Sequence, residues 1–279
     1  MRNIYSAFKS HILLADGASE KMWQDLDHNI EPVDILNITN PDIVMQRHLA
    51  YLKAGSDVIH TNSFGAFPLD LKKEGYAEEA FIVNYLAAET AARAVDTVPG
   101  NGRRRFVAGT IQARNLEQNA AQIEAAATLQ TEGLITGGAD FLAVYLLNDG
   151  NNNDNTRRLL KGIIAKRNAL NQHIPIYIYH QHTANNKTIG AADLADGVIK
   201  IVDGEAMGDK WLAVALSGTR PNLITGGDTV QETAVIDASL RAWSSDGLRP
   251  SLKNNRRILD EGFMPASSSR RFEELKPAR

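Results

Sequence analysis

The sequence predicts an α/β protein built on a parallel sheet, and three observations carry that reading. Short apolar segments alternate with helical ones at a period of about thirty to forty residues, the rhythm of repeated βα units. The apolar segments are continuous rather than alternating, as expected of parallel strands covered on both faces. The chain has 279 residues, 43% of them hydrophobic and 23% charged, enough for one large core in a water-filled setting. The rhythm fits a sheet closed into a barrel or an open doubly wound sheet equally well.

The elements follow in order. His11-Ile-Leu-Leu-Ala-Asp-Gly17 reads as a short buried strand ending in a carboxylate and a glycine turn. Asn40-Pro41-Asp42 starts a helix over about Pro41–Lys53, with a capping side chain, proline in the first turn and an acid at the positive end. Its apolar residues Ile43, Val44, Leu49 and Leu52 recur at helical spacing. Ala54-Gly55 ends that helix, and Asp57–His60 is the second strand, opening into the polar, glycine-bearing run Thr61–Ala66. An alanine-rich helix spans about Ala77–Val95, and Pro99-Gly100-Asn101-Gly102 marks a surface turn. Arg103-Arg104-Arg105 reads as a solvated strand entrance ahead of the third strand, Phe106–Ile111. Ala120–Thr136 is a helix stopped by Gly137-Gly138, Asp140–Leu147 the fourth strand, Thr156–Asn171 a helix and Pro175–His182 the fifth strand. From Ser244 the pattern breaks. Asp246-Gly247, Pro250 and the run Pro265–Arg271 read as an extension, so residues 1–245 are assigned to the barrel-like domain and 246–279 to a C-terminal extension.

A net charge of −3 is too mild to imply nucleic acid or a membrane surface as partner. The apolar runs are much shorter than a bilayer span, and residues 1–15 lack a signal-peptide pattern. With no cysteine there is no disulfide to point to export, so the cytoplasm is the expected location.

Three stretches resemble the homocysteine S-methyltransferase family. Ile12-Leu-Leu-Ala-Asp-Gly-Ala18 is similar to its first strand, "hhhDGAMGT"; Pro41 through Ala66 to its second unit, with "AGAD" and "TNTFGA"; and Gly137-Gly-Ala-Asp-Phe-Leu-Ala-Val144 to its fourth strand, "GGADhhhhET". The resemblance implies a TIM-like (β/α)8 barrel with its active site at the C-terminal ends of the strands. It also implies zinc held by cysteine thiolates that activates a substrate thiol. This chain departs there. The family's strand-four acid falls at Tyr145, and the "AVGhNCTxP" cysteine falls at Gly218 within Ala213–Pro221. The "GGCC" pair becomes Asp228 and Thr229. Those last two motifs lie a few residues apart where the family places a whole βα unit. Either a unit in the C-terminal half is shortened or missing, or one match is displaced; Thr219 and Pro221 favour the Ala213–Pro221 match.

The composition therefore speaks against zinc–thiolate activation, and the cofactor stays open. Residues expected at the barrel mouth are Asp16 and Gly17, able to hold the ammonium and carboxylate of an amino-acid-like substrate, Thr61 and Asn62 with dipoles aimed inward, and Tyr145. His60, His180 and His182 form a speculative nitrogen-ligand set for a divalent metal, His180 and His182 sharing one strand face with Ile174, Ile176 and Ile178. His11, His28, His48 and His173 read as surface or helix-edge residues. The leading expectation is a diverged methyltransferase acting on a small molecule. The alternatives are a non-catalytic binding or scaffold protein and a His-ligated metal-dependent hydrolase or lyase. A homo-oligomer formed through the C-terminal extension is carried as a further expectation.

Overall fold

The computed structural model describes residues 4–17, 32–100, 103–112, 119–146, 153–181, 194–202, 223–224 and 229–242. Helix α1 (Ile4–Ser10) precedes strand β1 (Leu13–Leu14), and a 3-10 turn (Val33–Ile35) leads into α2 (Leu36–Thr39) and α3 (Pro41–Ala54). Then come β2 (Val58–His60), α4 (Pro68–Lys73), α5 (Ala80–Thr97), β3 (Phe106–Gln112), α6 (Ala120–Thr136), β4 (Phe141–Tyr145), α7 (Asn153–Ala169), β5 (Ile176–Gln181), β6 (Gly197–Val202), β7 (Leu223–Ile224) and α8 (Val230–Ala242). All pairings between these strands are parallel, in the order β1-β7-β6-β5-β4-β3-β2.

The two ends of that order meet. Ala15, just past β1, bridges Val58 of β2 in parallel. Asp57 N donates to Leu14 O at 2.7 Å and Asp16 N to Val58 O at 2.9 Å. This contact between the first and last strands is what a closed parallel barrel requires. Among the described residues the sheet has seven strands, one short of the (β/α)8 pattern. Within it β6 pairs with β7 and β7 with β1.

Strand alternation sorts the side chains into two layers. One, inside the ring, contains Leu13, Ala15, Val58, Phe106, Ala108, Phe141, Ala143, Tyr177, Tyr179 and Leu223, with Ile4 and Phe8 of α1 packed against it. Phe8 meets the rings of Phe141 and Tyr177 edge-on at 5.8 and 5.3 Å, so α1 plugs the end where the strands begin. The alanines leave room for the two tyrosines. The other layer, between strands and helices, contains Ile59, Val107, Ile111, Leu142, Val144, Ile174, Ile176 and Ile178 with Leu52, Ala91, Ile123, Leu134 and Ile163. Phe141 to Val144 are fully buried, as expected of a parallel strand covered on both sides.

This sorting corrects the reading of β5. The face of Ile174, Ile176 and Ile178 is buried, but against the helices; the series that enters the ring is Tyr177 and Tyr179. Two local expectations also change. Asn40 makes no side-chain cap, and proline at the first turn starts α3 without it. The arginine run is not a solvated entrance: Arg105 is buried and donates to the helix-end carbonyls of Leu52 (3.1 Å) and Val98 (2.8 Å). Arg103 donates to Gly55 O at 3.0 Å and to the Asp237 carboxylate at 2.9 Å, and Arg104 alone is exposed.

Candidate functional site

The carboxyl ends of β1, β2 and β4 converge on one polar cluster. Asp16 follows the Ala15 bridge and is only 3% exposed. Its Oδ1 accepts from the backbone N–H of His60 at 3.0 Å and lies 2.7 Å from His60 Nδ1. Its Oδ2 stands 3.2 Å from Arg47 Nη2, an ion-pair contact without the angle of a hydrogen bond. Arg47, from α3, also donates to Gly17 O at 3.3 Å and lies 5.2 Å above the Tyr51 ring. Burial by itself would raise the Asp16 pKa; attraction to His60, the hydrogen bond from its ring, and the nearby Arg47 outweigh it and hold the carboxyl below its usual value.

His60 stands at the end of β2 with its side chain 14% exposed. Its Nε2 is 3.3 Å from the Tyr145 hydroxyl at the end of β4. Around this pair lies an aromatic wall. Tyr179 meets His60 edge-on at 5.5 Å and Tyr145 at 5.0 Å, and the exposed Phe64 meets Tyr145 at 5.2 Å. Burial, and then the Asp16 charge, push the Tyr145 hydroxyl above its ordinary range; burial and the charge on neighbouring groups do the same to Tyr179. Both phenols therefore keep their protons at neutral pH.

The loop after β2 is held by its own polar groups. Thr61 Oγ1 accepts from Thr110 N at 2.9 Å and pairs with Ser63 Oγ at 2.7 Å, while Ser63 donates to Thr110 O. Asn62 Nδ2 donates to Val33 O at 3.0 Å, and Asn62 O accepts from Asn37 Nδ2 at 2.6 Å. Gly65 N donates to Asp34 Oδ1 at 3.1 Å, and a Cβ on Gly65 would stand 2.5 Å from Asp34 Oδ2, so only glycine lets the loop approach so closely.

The expected residues Asp16, Gly17, Thr61, Asn62 and Tyr145 thus sit on neighbouring strand ends, with His60 linking Asp16 to Tyr145. The side chains of Thr61 and Asn62 tie the loop to its neighbours, and Asp16 faces protein partners. His182, Gly218 and Asp228, and the side chain of His180, lie outside the described residues. Both ring nitrogens of His60 have protein partners, and the described residues contain no group of three His, Cys, Asp or Glu arranged to hold a metal ion. His48 is a correction: it is fully buried behind Asp16, not at a helix edge. His11 is half-buried, His173 is exposed, and His28 lies outside the described residues.

Sequence reasoning missed Arg47, His48, Tyr179 and Phe64. The first two were readable. Val44, Arg47, His48, Tyr51 and Leu52 form the buried stripe of α3 at i, i+3, i+4, i+7 and i+8, so two polar residues lie in the middle of an apolar face.

Fold and mouth together define a parallel-barrel protein with a buried polar cluster at its strand ends, and the comparisons carry this further. Residues 13–223 match the family model for homocysteine S-methyltransferase, and the chain belongs to that family. It is 23% identical over 192 residues to the methionine synthase of Mycobacterium leprae and 24% identical over 192 residues to that of Mycobacterium tuberculosis. The match takes in 63% of this chain and only 15% and 16% of those much longer proteins. The crystal structure of the homocysteine methyltransferase MmuM from Escherichia coli in its metallated form superposes with a TM-score of 0.62 at 18% identity, covering 84% of this chain and 97% of that one. Its apo form gives 0.55 at 19% identity, covering 85% and 97%. These structures show the fold. Family membership supports a methyltransferase-type function.

The zinc that the family resemblance implies does not fit the residues present. The chain has no thiol to supply. Thr229, where a cysteine was expected, caps α8: its Oγ1 accepts from Glu232 N at 3.2 Å while Glu232 Oε2 accepts from Thr229 N at 2.9 Å, a reciprocal capping box.

Proposed function

We propose that this chain transfers a methyl group to a small, amino-acid-like molecule at the mouth formed by Asp16, Gly17, Thr61, Asn62 and Tyr145, without zinc–thiolate activation. The observation that carries this reading is the Asp16–His60–Tyr145 cluster, standing at strand ends of a family barrel whose chain contains no cysteine. In-line methyl transfer chiefly needs donor and acceptor held in alignment. The hydrogen-bonded loop from Thr61 to Ala66 and the aromatic wall supply rigid surfaces for that purpose.

The test is an assay of protein purified without a nickel column. Methylsulfonium, methylfolate and methylcorrinoid donors are offered with homocysteine and with other small amino acids, with and without a chelator. Turnover that survives the chelator supports the reading. Turnover that depends on added zinc overturns its zinc-free part. Binding of an amino acid without turnover from any donor overturns the transferase and leaves a binding protein. A His-ligated hydrolase has less support, since the described residues bring no third ligating histidine or carboxylate to His60 and Asp16 to complete a metal site.

A further inference from the structure

We infer that His60, oriented by Asp16, is the general base that takes the proton from a thiol acceptor, doing by proton transfer what a thiolate-bound metal would do by coordination. The inference rests on the proposed methyl transfer, takes as acceptor the thiol that the matched family's name implies, and names the residue that activates it.

The argument starts from donor and acceptor chemistry. An ionised carboxylate can only accept, so its 2.7 Å contact with Nδ1 places a proton on Nδ1 and the lone pair on Nε2. Nε2 faces Tyr145 at the mouth. Asp16 cannot swing away, because Oδ1 also accepts from His60 N and Oδ2 is paired with Arg47. The ring is edge-packed against Tyr179, which fixes its plane. A base held in one tautomer by a buried acid, with its other nitrogen turned to the mouth and held there only by the long Tyr145 contact, is the arrangement that activates a nucleophile.

A structural role would not require this geometry. The junction of β1 and β2 is already made by the backbone, through Asp57 N to Leu14 O and Asp16 N to Val58 O. The Tyr145 contact, at 3.3 Å, is long for an O–H···N bond, so an incoming S–H can take its place at Nε2. The donor used in the test is a methylsulfonium, whose leaving sulfur departs as a neutral thioether. In the step, the thiol proton passes to His60 Nε2, and the sulfur pair forms a bond to the methyl carbon. The donor's S–CH3 bond breaks with its electrons left on the donor sulfur, which becomes a neutral thioether. The imidazolium, balanced by Asp16, then releases its proton to water.

The experiment reads two signals, the ultraviolet absorbance of thiolate when homocysteine is bound and the rate of methyl transfer from a methylsulfonium. Wild-type protein is expected to bind homocysteine as thiolate, and His60→Gln to bind it as thiol. kcat should fall in His60→Gln by about 10²–10⁴-fold, the range for a lost general base, with KM moving much less. His60→Ala should regain part of the rate when imidazole is added. Asp16→Asn tests positioning: ¹⁵N NMR of the His60 ring should show loss of the Nδ1–H tautomer. Because that variant leaves Arg47 without its carboxylate, the two His60 variants carry the test if it does not fold. Thiolate that persists in His60→Gln, or a wild-type protein that binds no homocysteine, overturns the inference while leaving methyl transfer to another acceptor open. Thiolate that depends on His60 without transfer from any donor supports the base and overturns the transferase.

Discussion

His48 shows how far packing can move a single side chain from its usual chemistry. It is fully buried; burial, then the adjacent Arg47, lower its pKa from 6.5 to about 3, against an opposing pull from Asp16. Arg47 Nη1 lies 3.5 Å from its Nδ1, and an arginine can only donate, so Nδ1 accepts and Nε2 carries the hydrogen. No partner for that Nε2 is present among the described residues. The sign of the pH effect follows. Between 6.5 and about 3 the unfolded chain binds a proton here that the folded chain does not, so stability falls as pH falls through that interval. The slope approaches roughly 1.4 kcal/mol per pH unit. His48→Gln should flatten this acid limb, read as the change in urea midpoint with pH. Asp16 acts in a separate window. Its folded pKa lies below 3.8, so its contribution is present above that value and is lost only at still lower pH.

At the level of elements, one device recurs three times. Asp57, just before β2, accepts from Leu14 N of β1 at 3.0 Å. Asp140, just before β4, accepts from Val107 N of β3 at 2.9 Å, and Asp196, just before β6, accepts from Ile176 N of β5 at 2.8 Å. Each carboxylate clamps a backbone N–H of the preceding strand just ahead of its own strand, which sets register between the neighbours. The motifs Gly-Ser-Asp and Gly-Ala-Asp, first noted as a resemblance, are thus structural joints. Asp140→Ala would leave a buried N–H without its side-chain acceptor and should cost about 1–3 kcal/mol in denaturant unfolding. Asp196→Ala should cost less, because its side chain is 46% exposed and water can replace it. Helix packing makes a second prediction. A Cβ on Gly137 would lie 2.3 Å from Tyr85 O of α5, so Gly137→Ala must push α6 away from α5 and lower the melting temperature.

Across the whole molecule, the ring is tied to its last described helix by charge. Arg103, at the foot of β3, holds Asp237 of α8 at 2.9 Å, and Arg241 holds the other oxygen at 2.7 Å. Gly55 makes this junction possible: its φ of 115° suits glycine, and a Cβ there would overlap the Asp237 carboxyl. Breaking a buried pair costs about 3 kcal/mol or more, so Arg103→Ala should speed hydrogen exchange in Val230–Ala242 well beyond the change in β3 and β4. No described helix is long and apolar enough to cross a membrane. The assigned extension, 246–279, lies outside the described residues, so the oligomer expected through it remains a proposal.

Much of the fold was legible because its signals are local. Ala120–Thr136 matches its helix to the residue, and β2 to β5 fall within about two residues of their expected bounds, since continuous apolar runs and glycine stops are written in short windows. The family likeness was equally readable from Asp16-Gly17 and the run Ala54–Ala66, and so was the absence of thiols. What only the tertiary structure decided is which way each strand face points and which buried charges meet. The alternation of β5 is visible in sequence, yet its assignment to barrel interior or helix layer depends on closure of the ring, which put Tyr179 and not the isoleucine face beside His60. Asp16, Arg47, His48, His60 and Tyr145 span β1, α3, β2 and β4, and no local pattern joins them. Their common location follows from long-range parallel pairing, which brings distant strand ends together at one mouth.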